Sequence, residues 1–194
     1  MTEKDEIVKQ EILLEAQKLF QQFGMKKTTM DEIAASCGKA KSTLYHYFKS
    51  KDEVFEAVIK MERMNLRQLV KSKVEEQKGM VNKIQTYVIE FHKEVCKRAN
   101  LYRLMKQDFS SLGVSKKYFL SMMEYEQAYI TRILEDGYDS GEYLTPHRED
   151  IPWISEMFLA SFCGIVQYGL EKDGFYNEEK LERFVNLITP KVFS

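Results

Sequence analysis

Two short helical segments with a single glycine between them constrain the fold more than any other feature of this sequence. Thr29 is followed three residues later by Glu32, a capping-box pair that predicts a helix beginning at Met30. Gly38 can adopt the positive φ that ends a helix and turns the chain. A second helical segment is predicted at about residues 40–48. Two helices joined by a short turn that contains glycine form a helix-turn-helix.

A long third helix is predicted to follow this motif without a break. Ser50 and Glu53 form another capping box, which starts the helix at Lys51. The helix extends to about Glu76 and is closed by Gly79. No stretch rich in Pro, Gly or Ser interrupts it, so a continuous helix is expected to join a small N-terminal domain to the rest of the chain. Its apolar positions are Val54, Phe55, Val58, Ile59, Met61, Leu66, Leu69 and Val70.

The charge of the helix-turn-helix segment favours contact with DNA. Six lysines and two carboxylates lie between Gly24 and Lys51, so the segment carries about +4 in a chain whose net charge is −1. In this motif the second helix enters the major groove, and lysines and hydroxyls hold phosphates. The alternative is a solvated helical hairpin with surface lysines. The candidate base contacts are Lys41, Ser42 and Tyr45, and the candidate phosphate contacts are Thr29, Thr43, His46, Tyr47 and Lys51.

The chain closely resembles the N-terminal domain of TetR-family transcriptional regulators from about Ile12 to Val58. The run TLYHYFKSKDE, residues 43–53, is the most specific part of the resemblance. Family members often carry Val-Ser where this chain has Lys39-Ala40, and Ala40 lacks the side-chain oxygen that caps a helix. The other matching residues are Ile12, Leu13, Ala16, Leu19, Phe20, Gly24, Thr28, Thr29, Ile33, Ala34, Ala35, Gly38 and Ser42.

The resemblance implies two domains. Residues 1–50 are expected to form the helix-turn-helix DNA-binding domain, and residues 51–194 a larger helical domain for ligand binding and dimerisation. The remaining sequence agrees with an all-α fold of about nine helices, because it shows helical periodicity and almost no strand signal. Beside those already described, helices are predicted at about 5–23, 80–99, 101–110, 116–138, 150–172 and 177–189.

Some details of these helices are also predicted. Gly137 and Gly141 are expected to break the helix at 116–138. The triplet His92-Lys93-Glu94 is interpreted as a solvated helix face. The buried face of the first helix is predicted to consist of Val8, Ile12, Ala16, Leu19, Phe20 and Phe23.

The helix predicted at 150–172 is apolar nearly all round, which indicates burial on more than one side. The plain interpretation is a core helix packed against the helix at 177–189. Because TetR-like proteins dimerise through their last helices, the resemblance implies instead that these two helices meet their copies in a homodimer. A dimer places two recognition helices about 34 Å apart on the half-sites of a palindromic operator.

The middle helices are rich in methionine and aromatic residues, which either fill the core or line an apolar pocket. TetR-like proteins commonly bind a small molecule there and then release DNA. Glu90, Asp108 and Glu126 lie near these apolar faces and could receive a cationic ligand group, although solvated surface carboxylates are the favoured interpretation. The candidate ligand contacts are Tyr87, Phe91, Tyr102, Met105, Phe109, Phe119, Met122, Met123, Tyr129, Phe158 and Phe162.

Other functions lack support in the sequence. The chain has no HExxH motif, phosphate-binding loop, GxSxG elbow or paired-cysteine metal spacing, so no enzyme activity, cofactor or metal is expected. Cys37, Cys96 and Cys163 lie far apart in apolar patterns, which predicts reduced, buried thiols in a cytoplasmic protein, with redox sensing as an alternative. The charged N-terminus is not a signal peptide, and the longest apolar stretch, residues 157–166, is too short to span a bilayer.

The resulting prediction is a sequence-specific regulator of transcription, a repressor that a small, largely apolar ligand releases from its operator. The long helix is expected to carry the change from the ligand pocket to the recognition helix. By linkage, such a ligand binds free protein more tightly than DNA-bound protein. The alternative is a helical dimeric adaptor or sensor that kept the fold but lost specific DNA binding. The presence of Thr29, Thr43, Tyr45 and Lys51 favours the regulator.

Overall fold

The structure, a computed structural model, describes residues 3–97, 116–143, 147–171 and 178–193. Every regular element in these ranges is helical, which confirms the predicted fold class. The helix predicted at 101–110 lies outside the described residues. The elements are α1 (Glu3–Phe23), α2 (Met30–Ser36), α3 (Lys41–Tyr47), α4 (Lys51–Glu75), α5 (Met80–Lys97), α6 (Lys116–Asp139), a 3₁₀ turn (Arg148–Asp150), α7 (Ile151–Glu171) and α8 (Glu178–Val192).

A first compact unit contains α1, α2, α3 and the part of α4 up to Asn65. Phe20 of α1 and Phe55 of α4 meet edge to face with their ring centroids 5.2 Å apart, which fixes α1 against α4. The predicted inner face of α1 is wrong at Phe23, which is half exposed in the last turn of the helix, before Gly24 with its φ of 79°. The core of this unit consists of Ile12, Leu13, Ala16, Phe20, Met30, Ile33, Ala34, Leu44, Phe48, Val54, Phe55 and Val58.

A second compact unit contains the described residues from Leu66 onward. Here α6 packs on α7, and α5 packs on α6, α7 and α8. α4 ends at Glu75, close to the predicted position, but Leu69 is partly exposed rather than buried. The largest fully buried side chains of this unit are Leu66, Ile84, Tyr87 and Phe193.

The last helix is longer than the sequence suggested. α8 continues through Pro190 to Val192, whereas the predicted end was Thr189. The Phe193 ring is 1% exposed and packs against Tyr143 and Phe158, with ring centroids 5.7 and 5.6 Å away. Burial of this ring holds the final turn in place although proline removes one backbone donor.

The interpretation of His92-Lys93-Glu94 as a solvated face was wrong. His92 and Glu94 are 4% and 3% exposed. Lys93 Nζ lies 2.7 Å from the Glu178 carboxylate and 2.9 Å from that of Glu182, so α8 lies over this side of α5. Burial lowers the pKa of His92. Helical periodicity cannot identify this face as buried, because the covering element lies more than 80 residues further along the chain.

The expected burial of the three cysteines holds only in part. All three are free thiols in the structure, and Cys37 and Cys163 are half-buried, whereas Cys96 is exposed. Cys96 Sγ lies 3.2 Å from Nε2 of His92 on the same helix. Partial desolvation of the sulfur atom raises the pKa of Cys37 and, although its residue is largely exposed, that of Cys96, so both favour the thiol over the reactive thiolate.

The sequence suggested that Gly137 breaks α6, but the helix is continuous at this residue. The helix passes through it to Asp139, and Gly141 follows the helix with a φ of 77°. A Cβ at position 137 would lie 2.5 Å from Sδ and 2.7 Å from Cβ of Met80, so the missing side chain lets α5 begin directly against α6. The glycine is therefore required by helix packing rather than by a turn.

We predict that Gly137→Ala destabilises the protein by about 1–3 kcal/mol, because the added methyl group overpacks the contact with Met80. Ala128→Ser adds one heavy atom to an exposed position of the same helix and should change stability by less than about 0.5 kcal/mol. Chemical denaturation of both variants measures the difference. Equal stability of the two variants would show that the α5–α6 contact can relax at no cost.

Candidate nucleic-acid interface

The turn between α2 and α3 is built as the sequence predicted. The Thr29 backbone N–H donates to Glu32 Oε2 at 2.8 Å, and the Glu32 N–H donates to Thr29 Oγ1 at 3.2 Å, which completes the capping box. Gly38 has a φ of 61°. Its N–H donates to the carbonyl of Ala35, and the N–H of Lys39 donates to that of Ala34, which is the Schellman pattern.

The predicted recognition helix α3 has one buried side and one exposed side. Leu44 within it and Phe48 at its end are buried. Lys41, Ser42, Tyr45 and His46 are exposed, and Thr43 and Tyr47 are half-buried. The three candidate base contacts therefore share one accessible face of a helix, which is the arrangement that groove entry requires.

The N-termini of α3 and α4 are capped differently. Ala40 precedes α3 without any side-chain hydrogen bond, as the sequence indicated. At the start of α4, the Glu53 N–H donates to Ser50 Oγ at 3.2 Å. The Glu53 carboxylate accepts from the Lys49 N–H at 2.6 Å, one residue earlier than in the standard box.

Several polar side chains of the candidate interface already have partners within the protein. Lys41 Nζ lies 2.8 Å from the Asp31 carboxylate, and both side chains are more than half exposed. This hydrogen bond raises the pKa of Lys41, so the group stays cationic. Lys39 Nζ is paired in the same way with Glu11 of α1 at 2.8 Å.

Lys51 and Tyr47 make contacts that position the motif. Lys51 Nζ donates to the carbonyls of Met25 and Thr28 at 2.7 and 2.8 Å, which fixes the chain between α1 and α2 to the start of α4. The Tyr47 hydroxyl donates to Asp5 of α1 at 3.1 Å. Burial and this hydrogen bond raise the pKa of Tyr47, so the phenol stays neutral. His46 packs edge to face on the Tyr47 ring.

Three lysines outside the predicted set belong to the same segment. Lys26, Lys27 and Lys49 are exposed, and none takes part in the ion pairs seen among the described residues. Their contribution was visible in the charge count of the sequence, but their position next to the helix ends was not. Unlike Lys41 and Lys51, they would reach a phosphate without giving up an internal contact.

The candidate ligand contacts separate into groups. Tyr87, Phe91, Tyr129 and Phe162 form a connected aromatic cluster in which neighbouring ring centroids are 5.7 to 6.3 Å apart. Phe158 packs instead against Phe193, and Met123 Sδ lies 3.8 Å from Cys163 Sγ. The side chains of Phe119 and Met122 on α6, and the residues Tyr102, Met105 and Phe109, lie outside what the structure describes.

Glu126 is not the solvated carboxylate that the sequence suggested. It is 3% exposed, and Arg67 Nε donates to it at 2.6 Å while the Tyr87 hydroxyl donates to it at 3.0 Å. Glu90 is half-buried and is paired with Lys73 and, at 3.6 Å, with Lys93. Asp108 lies outside the described residues. The apolar sequence around Glu126 gave no sign of its partners, which lie on two other helices.

Neither a metal site nor a membrane span is found in the described part of the chain. Among these residues, no group of three or more His, Cys, Asp or Glu side chains is placed to hold a metal ion. Within the same ranges, no helix combines the length and the apolar character that are needed to cross a membrane.

Comparison with known sequences identifies the helix-turn-helix segment. A family model described as "Bacterial regulatory proteins, tetR family" matches residues 12–58. The Bacillus subtilis protein YfiR, an uncharacterized HTH-type transcriptional regulator, is 26% identical over 182 residues, which are 89% of this chain and 82% of YfiR. The similarity to YfiR therefore extends well beyond the helix-turn-helix.

Solved structures show the same fold over nearly the whole chain. The fatty acid degradation regulator FadR from Bacillus halodurans superposes with a TM-score of 0.73, at 18% identity and 93% coverage of each chain. AibR, in a complex with isovaleryl coenzyme A and operator DNA, superposes with a TM-score of 0.65, at 19% identity and with 94% of this chain and 98% of AibR covered.

The capped α2, the Schellman turn and the exposed face of α3 define a helix-turn-helix transcriptional regulator. More particularly, residues 12–58 match the model of the tetR family of bacterial regulatory proteins, and the chain is similar to the HTH-type transcriptional regulator YfiR over most of its length.

We predict that Ala40→Ser stabilises the protein by about 1 kcal/mol, because serine supplies the side-chain cap that α3 lacks. Ala35→Ser is the matched control, since the same change within α2 has no cap to form and should be neutral or slightly destabilising. Thermal unfolding of the two variants compares them. A loss of stability in Ala40→Ser would indicate that the turn cannot accommodate the capping hydroxyl.

Proposed function

We propose that this protein is a cytoplasmic repressor that binds a palindromic operator as a homodimer and leaves it when a small, largely apolar effector binds. The exposed face of α3, with Lys41, Ser42 and Tyr45 on one side of a helix that is otherwise held in the core, is the observation that carries the proposal. Lys41, Ser42 and Tyr45 contact base edges, and Thr29, Thr43, His46, Tyr47 and Lys51 contact phosphates, with Lys26, Lys27 and Lys49 added as further phosphate contacts.

The contacts within the free protein refine these roles. Thr29 and Lys51 are engaged in the capping box and in the turn before α2, so they approach phosphate only while keeping a structural role. Lys41 must exchange the Asp31 carboxylate for DNA. Because this exposed ion pair contributes only about 0.2–1 kcal/mol, the exchange is easily offset by contact with a phosphate or a base.

Residues 1–50 are proposed to be the DNA-binding domain and residues 51–194 the effector-binding and dimerisation domain. The compact units of the structure divide within α4, after Asn65, so the first turns of this helix support the helix-turn-helix. In the proposed mechanism, the continuous α4 carries an effector-dependent shift toward the recognition helix. The required coupling is reciprocal, since operator DNA must weaken effector binding by the same factor.

The proposed dimer interface is the outer face of α7 and α8. Between these helices lies an apolar groove of about 500 Å³. Large apolar side chains remain 40% to 55% exposed along its edges in the single chain, far more than a buried core helix should show. A second copy that places its own α7 and α8 against this face would complete a four-helix bundle. The exposed residues are Trp153, Met157, Phe184, Leu187, Ile188 and Val192.

The proposed effector is an apolar molecule of acyl type. FadR is named as a regulator of fatty acid degradation, and AibR was solved with isovaleryl coenzyme A, so two regulators of this fold are associated with acyl groups. In the present chain, the aromatic cluster of Tyr87, Phe91, Tyr129 and Phe162 supplies an apolar wall of the kind that such a chain would pack against.

Selection of binding sites from a random DNA library tests the function directly. The purified full-length protein should recover a palindrome whose half-sites are centred about one helical turn apart or a multiple of it. The selection is repeated with protein that has been unfolded and refolded to remove any copurified ligand. If this protein also recovers no sequence, the result favours the adaptor alternative. The salt concentration has to be fixed, because phosphate contacts make affinity strongly salt-dependent.

We predict that Lys41→Gln weakens binding to the selected operator by about tenfold, whereas Asp31→Asn strengthens it by a factor of about two to five, the worth of one exposed ion pair. In the double variant, Asp31→Asn should raise operator affinity by less, because the Lys41 ammonium with which Asp31 pairs is no longer present. Fluorescence anisotropy with labelled operator gives the four affinities of this double-mutant cycle.

Lys60→Gln is the control for that cycle, since Lys60 is an exposed lysine of α4 outside the motif. It should leave operator affinity within about twofold of the original value. Additive effects of the Asp31 and Lys41 changes would contradict a role for Asp31 in holding the Lys41 ammonium.

We predict that Leu187→Glu converts the dimer to a monomer, because it places a charge in the centre of the proposed α7–α8 interface. Met64→Glu is the matched control, since Met64 on α4 is 58% exposed and Leu187 is 55% exposed. Sedimentation velocity measures both. A dimer that persists in Leu187→Glu would place the subunit interface on another surface.

A further inference from the structure

Three helices meet at one buried carboxylate in the second compact unit. Glu126 of α6 accepts from Arg67 of α4 at 2.6 Å and from the hydroxyl of Tyr87 of α5 at 3.0 Å. The Arg67 guanidinium also lies over the Tyr125 ring, 4.1 Å from its centroid. Arg67 thus approaches a carboxylate and an aromatic face at the same time, which is the arrangement in which arginine binds planar anions well.

Stability alone is a weak reason for such a contact. Removing Glu126 and Arg67 from water carries a desolvation penalty that their attraction barely offsets, and apolar side chains of similar volume would hold the three helices at least as well. The charged pair therefore needs another explanation. A buried ion pair that joins separate helices can act as a switch when a ligand competes for one of its members.

The cavity beside Glu126 has space for about 10 Å³, roughly that of one water molecule, so a ligand anion enters only by displacing the Glu126 carboxylate. Donor-bearing residues predominate in its lining, which consists of Arg67, Val70, Lys71, Tyr87, Phe91, Tyr125, Glu126 and Tyr129. Burial raises the pKa of Tyr129 to about 12 and that of Tyr87 well above its usual range, so both phenols remain protonated. With two cations and one carboxylate, the lining favours a ligand group that is negative and accepts hydrogen bonds.

The aromatic cluster forms the apolar side of the junction around Glu126. Phe91 and Phe162 lie within 5.7 and 6.3 Å of the Tyr87 ring, measured between centroids. An anionic group placed at Arg67 would therefore have an apolar surface next to it. The combination matches an amphiphile with an anionic end and an acyl or similar hydrocarbon body.

We infer that the junction of Arg67, Tyr87 and Glu126 is the anion-recognition site of the effector pocket, and that Glu126 occupies the place an effector carboxylate or phosphate takes. The inference deepens the proposed function, on which it rests, by naming the chemical class of the effector. When the ligand anion pairs with Arg67, α4 loses its contact with Glu126 of α6, which changes the packing of the helix that continues into the DNA-binding domain.

Binding of four eight-carbon probes to the full-length protein tests this inference by calorimetry. The probes are octanoate, octyl phosphate, 1-octanol and octylamine, which share a hydrocarbon chain and differ in their end group. At least one anion should bind about tenfold more tightly than octanol, the worth of one charge-assisted hydrogen bond, and octylamine should bind more weakly. The stronger of the two anions identifies carboxylate or phosphate as the natural group.

Variants of the junction separate a binding role from a structural one. Arg67→Met should abolish the preference for the anion over octanol, whereas Glu126→Gln should strengthen anion binding about tenfold, because the Glu126 carboxylate no longer competes with the ligand for Arg67. Tyr87→Phe removes one hydroxyl and should shift anion affinity in the same direction as Glu126→Gln but by less. Arg132→Met, at an exposed arginine of α6, is the matched control and should bind as the original protein does.

The inference is overturned if neither anion binds more tightly than octanol to the original protein or to Glu126→Gln, provided that circular dichroism shows both folded. It is also overturned if Arg67→Met keeps the anion preference. The titrations contain no DNA, so their outcome is independent of operator recovery. A recovered operator without anion preference would leave the proposed function intact and remove only this inference.

Discussion

The recognition helix α3 is seven residues long and has no side-chain cap, so its conformation depends on the surrounding helices. A helix of this length is unstable alone, because the cost of nucleation exceeds what a few hydrogen bonds return. Leu44 and Phe48 are buried, α3 packs on α2, and Lys51 attaches the start of α4 to the carbonyls before α2. DNA recognition requires α3 to keep one shape, and this shape is a property of the whole unit.

The same lysines that make the segment basic are used to hold it together. Lys39 pairs with Glu11 and Lys41 with Asp31, so the free protein exposes less unpaired positive charge than its sequence suggests. This arrangement suits a protein whose net charge is near zero. In the proposed function, general attraction to DNA is weak, and a specific site gains affinity when new contacts with bases and phosphates replace the internal ion pairs. Lys26, Lys27 and Lys49 supply the charge that needs no such exchange.

Local signals in the sequence predicted the helix-turn-helix well, because each depends on residues only a few positions apart. The capping box at Thr29, the positive φ of Gly38 and the missing cap at Ala40 all occur as expected. The errors concern contacts between distant elements. Burial of His92 and Glu126 depends on partners on other helices, and the passage of α6 through Gly137 depends on Met80. Helical periodicity marks a face as apolar, but it does not show which later helix covers the other faces.

In the proposed mechanism, the position of Arg67 on α4 gives the effector site a physical route to α3. Arg67 lies on α4, and the earlier turns of this uninterrupted helix bury Val54, Phe55 and Val58 in the core that holds the recognition helix. A bound effector can influence DNA affinity only through a difference in free energy between two arrangements, and not merely by binding tightly. Arg67 can pair either with Glu126 or with a ligand anion, and these two pairings provide such a difference in free energy. Under the proposed regulation, the costly burial of the Arg67–Glu126 pair has a purpose, since a purely apolar contact at the same place would hold α4 equally well in both states.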